Sequence, residues 1–343
     1  MNNKRNLRVD IVSGFLIIYM IFTHICQLSF NVGWPVYIYS LKFFYAYMFF
    51  FFLRSGYYFY PIPNQKSCLK KNATSLLKPY LKYSLLSYLI YLWVEESSSV
   101  LDFQFAVKQP LTQIAQFGAF AGNLPLWFLL TLFLVKVIYN FIHQYANTLV
   151  WFLLTLTVTL VLQYTSNHYD LLIPYTVGST FVALAIYSVG VLLKEYDINI
   201  YKKPILWISC AIYALSLFID LKGVDIRSNS CGGNCVPWFI ASLASCILAL
   251  NMAGAQITPP PLLLINLKCV FAKMNLMLEN VGRNSMLYFV WHWIVLLIVR
   301  KFFYAFNFTD NRYLLICMVI VCAISLPLIV KCTVCIDKIK QKV

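Results

Sequence analysis

Three ionisable side chains lie in stretches of this chain that otherwise carry no charge: His24 within Ile11–Phe30, Arg54 within Phe49–Tyr57, and His292 within Met286–Val299. An imidazole can take up a proton near neutrality or attack a carbonyl carbon. A guanidinium pairs with phosphate, carboxylate or a developing oxyanion. Holding such groups in hydrocarbon is costly, at least ~2.5 kcal/mol for arginine on insertion scales, so each is a candidate functional group. The plain alternative for each is a hydrogen bond to a neighbouring helix.

Asp10 and His24 are 14 positions apart, which on a helix at ~100° per residue separates them by only ~40° in azimuth. Asp10, Ser13, Gly14, Ile17, Ile21 and His24 therefore share one stripe, predicted to face a neighbour or a cavity. Along the axis Asp10 and His24 are ~21 Å apart, too far to pair directly. Ser55-Gly56, beside Arg54, permits close helix approach.

Other candidates read more blandly. Lys66, Lys70, Lys71 and Lys78 crowd the segment Pro61–Pro79, where they would either cradle an anion such as a nucleotide diphosphate or meet anionic lipid head groups. His143, His168, Glu195 and Asp197 fall at the ends of apolar segments and are expected at the surface. Trp127 reads as an interfacial aromatic anchor. Cys231 and Cys235, in Cys-Gly-Gly-Asn-Cys, are either a short-loop disulfide or free thiols, and Cys332 and Cys335 read as incidental. Nothing points to a resident metal.

The elements that must position these groups are apolar helices. Of 343 residues, 61% are hydrophobic and 11% charged, against about 25% charged in a soluble domain. The apolar runs are unbroken and do not alternate, so the expectation is an all-α integral membrane protein and not a barrel. Ten spans are predicted: 11–30, 37–60, 76–94, 124–142, 148–165, 174–193, 204–221, 236–256, 284–303 and 312–331. The first follows Lys4, Arg5 and Arg8 as a signal peptide would, but is long, lacks a small-residue cleavage site and reads as retained. With both termini cytoplasmic, inner segments collect 17 of the 27 basic residues and outer segments six. The formal charge of +15 thus reports topology, and nucleic-acid binding is not needed to explain it. The whole chain, 1–343, reads as a single transmembrane domain, expected in the cell (plasma or inner) membrane.

Several chemistries are excluded. The chain has no Gly-rich phosphate loop, no His-Glu-x-x-His and no serine elbow. Its spans carry too few acids for a proton pump or ion carrier.

Five segments in order resemble the acyltransferase 3 family of integral-membrane acyltransferases. They are Arg8, Asp10, Gly14 and His24; the Phe-rich Phe49–Tyr57 ending in Ser-Gly-Tyr; Lys70 and Lys71 leading to Lys78-Pro79-Tyr80; Leu126–Leu129; and Gly282–Ser285 followed by His292. Two positions depart from that pattern. The basic residue expected near Gly14 is missing, with Ser13 in its place, and Arg54 stands where an apolar residue is usual. Arg54 is therefore a candidate to supply the missing charge.

The resemblance implies transfer of an acyl group, usually acetyl from acetyl-CoA, to a hydroxyl of a surface polysaccharide, glycolipid or lipid-linked sugar. It implies that Lys70, Lys71, Lys78 and Arg283 hold the CoA phosphates. His24 would be general base or transient acyl carrier, Asp10 would orient a neighbour, and Arg54 or His292 would stabilise the oxyanion or the CoA arm. The competing reading is a flippase of lipid-linked glycans, although such carriers are usually longer and built from repeats, and none is visible here. A non-enzymatic scaffold gives no reason to bury His24, His292 and Arg54.

Overall fold

The computed structural model describes residues 6–30, 46–95, 107–120, 122–169, 173–219, 226–227, 234–257, 265–306 and 311–340. These residues form helices and no strand. In hydrocarbon every backbone N–H and C=O must be satisfied within its own segment, and an apolar sequence achieves that as a helix. In chain order the helices are α1 (Leu7–Phe30), α2 (Ala46–Tyr57), α3 (Gln65–Asn72), α4 (Lys78–Glu95), α5 (Gln109–Phe117), α6 (Trp127–Ile142), α7 (Thr148–Tyr169), α8 (Tyr175–Glu195), α9 (Lys203–Ser216), α10 (Cys235–Ile257), α11 (Ile265–Arg283), α12 (Ser285–Ala305) and α13 (Asn311–Lys340).

Seven described helices are long and apolar enough to cross a membrane: Leu7–Ser29, Leu124–Ile142, Thr148–Thr165, Tyr175–Glu195, Cys235–Ala253, Ser285–Ala305 and Asn311–Ile339. This is a multi-pass membrane protein. Of the other three expected spans, 37–60 lies partly outside the described residues, with Ala46–Tyr57 helical; α4 carries Lys78 and Lys82, and α9 has 14 residues, ~21 Å against a ~30 Å core. Cys231 lies outside the described residues, and with it the choice between a bridge to Cys235 and free thiols.

The chain divides into two compact units, residues 1–47, 201–214 and 244–343, and residues 48–200 and 215–243. In the first, α1 packs on α11, α12 and α13. The predicted stripe is its inner face: Asp10, Ser13, Gly14, Ile17 and Ile21 are buried, while Phe15, Ile18 and Phe22 point outward.

In the second unit α8 packs on α5, α6 and α7 and is buried along Gly178–Val191 except for Phe181. Thr131 Oγ1 and Ser179 Oγ, 3.1 Å apart, join α6 to α8. Tyr139 OH donates to Thr148 Oγ1, which donates to Glu195 Oε1. Trp127 is not an interfacial anchor: the short turn Leu124–Leu126 tucks its indole inward against Phe52, with ring centroids 6.4 Å apart.

Candidate active site

The first unit's site starts from a backbone contact. A Cβ added at Gly14 would lie 1.9 Å from the Leu278 carbonyl oxygen, and one at Gly282 would lie 1.8 Å from that of Asp10. α1 and α11 are thus antiparallel and touch main chain to main chain, an approach only glycine allows. This crossing holds a charge cluster. The buried Asp10 carboxylate lies 3.9 Å from Arg283 Nε, and the half-exposed Arg283 guanidinium also pairs with Glu279 one turn back. Two carboxylates therefore flank the guanidinium expected to meet a phosphate. Ser13 is fully buried and donates to the Val9 carbonyl at 2.6 Å, so the packing leaves no room there for a long basic side chain.

Farther along α1, His24 meets α12. Its ring stacks on His292, with centroids 5.4 Å apart and planes 22° apart, and stands edge-on to Trp293 at 5.1 Å. The structure thus brings together the two histidines that the sequence singled out separately. His292 is 0% exposed. Its Nδ1 lies 2.6 Å from the Phe289 carbonyl oxygen, which can only accept, so Nδ1 carries the hydrogen. In the neutral imidazole Nε2 is then a bare lone pair, and no described group satisfies it. Leaving a buried acceptor unpaired costs about 1–3 kcal/mol. His24 is arranged alike, with Nδ1 3.3 Å from Gln27 Oε1 one turn on, which makes Nε2 its basic nitrogen. A neutral His292 thus presents Nε2 as an acceptor.

The second unit gathers the cations. A Cβ at Gly56 would lie 2.0 Å from the Tyr187 carbonyl oxygen and one at Gly190 2.1 Å from that of Leu53, so α2 and α8 also meet backbone to backbone. Arg54 sits in the last turn of α2, where a cation opposes the helix dipole favourably. The strap after α2 is pinned twice. Asn140 exchanges hydrogen bonds with the Ile62 backbone at 2.8 and 3.0 Å, and Lys194 Nζ donates to the Phe59 carbonyl at 2.6 Å. Asn64 then caps α3 by accepting from the Lys66 backbone N–H at 2.9 Å. α3 presents Lys70 and Lys71 exposed, and Lys78 opens α4, also exposed. Tyr80 is structural, its hydroxyl donating to the Gly118 carbonyl at 3.1 Å.

Lys136 of α6 was missed in the sequence. It is half-buried, and the charges of both Lys71 and Arg54 act on it. One cation in the otherwise uncharged run Trp127–Ile142 was the available signal. Gln27 and Glu279, each one turn from a residue already singled out, were missed too. His143 Nδ1 donates to the Asn140 carbonyl, 2.7 Å away, beside Phe59. No group of three or more metal-ligating side chains is found among the described residues.

The site is thus one of histidines in the apolar helices of a membrane protein. A family model described as an acyltransferase domain, that of the acyltransferase 3 family, matches residues 6–330. The chain belongs to that family. No curated protein and no solved structure matches it.

Proposed function

We propose that this membrane acyltransferase moves an acetyl group from acetyl-CoA to a hydroxyl of a cell-surface or lipid-linked carbohydrate in the plasma membrane, with His24 as general base. The observation that carries the reading is the setting of His24, whose Nδ1 faces Gln27 while its ring is stacked on His292 and bounded by Trp293. That arrangement supports a ring held in place with Nε2 as the atom that takes a proton. In the reaction the acceptor O–H gives its proton to His24 Nε2 as its oxygen attacks the thioester carbonyl. The tetrahedral intermediate then collapses, the C–S bond breaks, and the proton passes from His24 to the leaving thiolate. The products are the acetyl ester and CoA-SH.

Lys70, Lys71 and Lys78 are assigned to the donor's phosphates, joined by Lys136 and Arg54. Like charges that act on one another repel, and a bound polyphosphate relieves that repulsion, which supports an anionic donor here. Arg54 is assigned with these cations to the donor's phosphates. Asp10 is a positioning residue that holds Arg283 at the α1–α11 crossing.

The test uses membranes containing the full chain and acetyl-CoA labelled in the acetyl group. Wild type is expected to release CoA and to add one acetyl group to a membrane or surface glycan, detected by mass. His24→Ala is expected to lower this turnover about 10²–10⁴-fold. Turnover unaffected by His24→Ala rules out the base, and no thioester turnover in wild type rules out the acyltransferase reading.

A further inference from the structure

His292 is left unexplained by the base chemistry. Its Nδ1–H is engaged with Phe289, and its Nε2 is buried and unsatisfied. The ring planes of His24 and His292 lie within 22° of each other, and N–H bonds and lone pairs lie in those planes. No described group, His24 included, is hydrogen-bonded to His292 Nε2, so His292 does not hold His24 as an orienting acceptor would. A bare Nε2 excludes partners that only accept, among them phosphates, the thioester oxygen and an oxyanion. What remains is a ligand that donates. Beside a base whose substrate is a hydroxyl, the donor at hand is another hydroxyl of the same molecule. Sugars carry their O–H groups in adjacent sets, so one can face His24 while its neighbour faces His292.

Resting on the acyl-transfer reading above, we propose that His292 is an acceptor-binding residue, its Nε2 receiving a hydrogen bond from a second O–H of the carbohydrate beside the O–H that His24 deprotonates. The site then selects the acceptor by a pair of hydroxyls, and a mono-alcohol is a poor substrate. Buried polar groups of this kind reject the analogue that lacks the matching hydroxyl.

The test uses membranes containing the full chain, labelled acetyl-CoA, and octyl glycosides compared with their monodeoxy derivatives. In wild type one derivative loses transfer altogether, because it lacks the reacting hydroxyl. A second shows an acceptor KM raised about tenfold with kcat held, the effect of one hydrogen bond to a buried acceptor. His292→Phe keeps a ring against His24 and removes the lone pair. It gives the complete sugar the same raised KM, and the second derivative loses nothing more. His292→Gln, whose amide oxygen accepts, recovers part of the loss, and it stands in on the same sugar pair if the Phe variant does not accumulate.

An unchanged acceptor KM in His292→Phe overturns the assignment alone. So does a raised KM for acetyl-CoA in its place, which would move the contact to an amide or hydroxyl of the pantetheine arm. Full additional loss on the second derivative overturns it as well. Wild-type membranes that turn over acetyl-CoA without esterifying any glycoside overturn the assignment and the carbohydrate acceptor together, and wild-type membranes with no turnover overturn the acyl-transfer reading itself.

Discussion

At the α1–α11 crossing Gly14 lies on the Leu278 carbonyl and Gly282 on that of Asp10, each glycine four residues from the carbonyl that its partner approaches. At the α2–α8 crossing Gly56 lies on Tyr187 and Gly190 on Leu53, with the same reciprocity at a spacing of three. Both are antiparallel pairs held by main-chain contact, which suits a membrane interior where apolar side chains gain little by leaving lipid. The side chains they carry differ. The first crossing holds an arginine between two carboxylates and, farther along α1, two stacked imidazoles. The second belongs to the unit of cations Arg54, Lys71 and Lys136, whose charges act together. Proton transfer needs a base held in place, whereas gripping a polyanion needs several cations together. One packing device thus serves two electrostatic settings, and perturbing each unit should leave a different kinetic signature.

The largest expected difference lies in the side chains. His24→Ala should lower kcat about 10²–10⁴-fold with little change in the KM for acetyl-CoA. Replacing Lys70 and Lys71 together by Ala should do the reverse, raising that KM with kcat nearly held. Steady-state kinetics on membranes checks both, and the contrast fails if the lysine variant loses kcat. Next come the crossings themselves. Gly282→Ala and Gly190→Ala each drive a methyl into a carbonyl oxygen and should cost about 1–3 kcal/mol of stability, read as a lowered Tm in detergent. Among molecules that remain folded, the Gly282 variant is expected to lose kcat and the Gly190 variant to gain KM for the donor. Identical signatures would mean that the two crossings do not divide the work.

Part of this was legible in the chain and part was not. The stripe through Asp10, Gly14 and His24 follows from helical periodicity alone, and its burial in the structure follows the same rule. Gly56 was legible as a point of close approach, but α8 as its partner was not, because periodicity tells which face is buried and not what covers it. The pairing of His24 with His292 was hidden for the same reason. The resemblance that assigns Arg283 to the CoA phosphates gives no sign of its pairing with Glu279 one turn back. Lys136 stands out in the sequence only as one cation in an apolar run, because the charge of Lys71 that acts on it comes from a distant segment. Trp127 followed the usual rule for aromatics at a membrane edge until the Leu124–Leu126 turn swung it inward.

A smaller effect separates Lys136 from the exposed lysines. Lys136→Met should raise the KM for acetyl-CoA about three- to tenfold, roughly the worth of one ordinary hydrogen bond, and leave kcat unchanged. Added salt should weaken donor binding less in this variant than in wild type, because one fewer cation then faces the phosphates.

The smallest effect bears on the arginine at the other crossing. Arg283 is half-exposed, so its pairing with Glu279 and Asp10 is screened by water and is worth ~1 kcal/mol or less. Arg283→Gln should lower Tm slightly and leave the KM for acetyl-CoA alone, because two carboxylates already occupy the guanidinium. Glu279→Gln releases one of them and should also leave that KM unchanged if Arg283 stays with Asp10. A KM that rises in Arg283→Gln and falls in Glu279→Gln would instead make Arg283 a phosphate ligand whose grip Glu279 weakens. The two crossings would then both hold the donor, and the division between a neutral site for chemistry and a charged site for binding would fail.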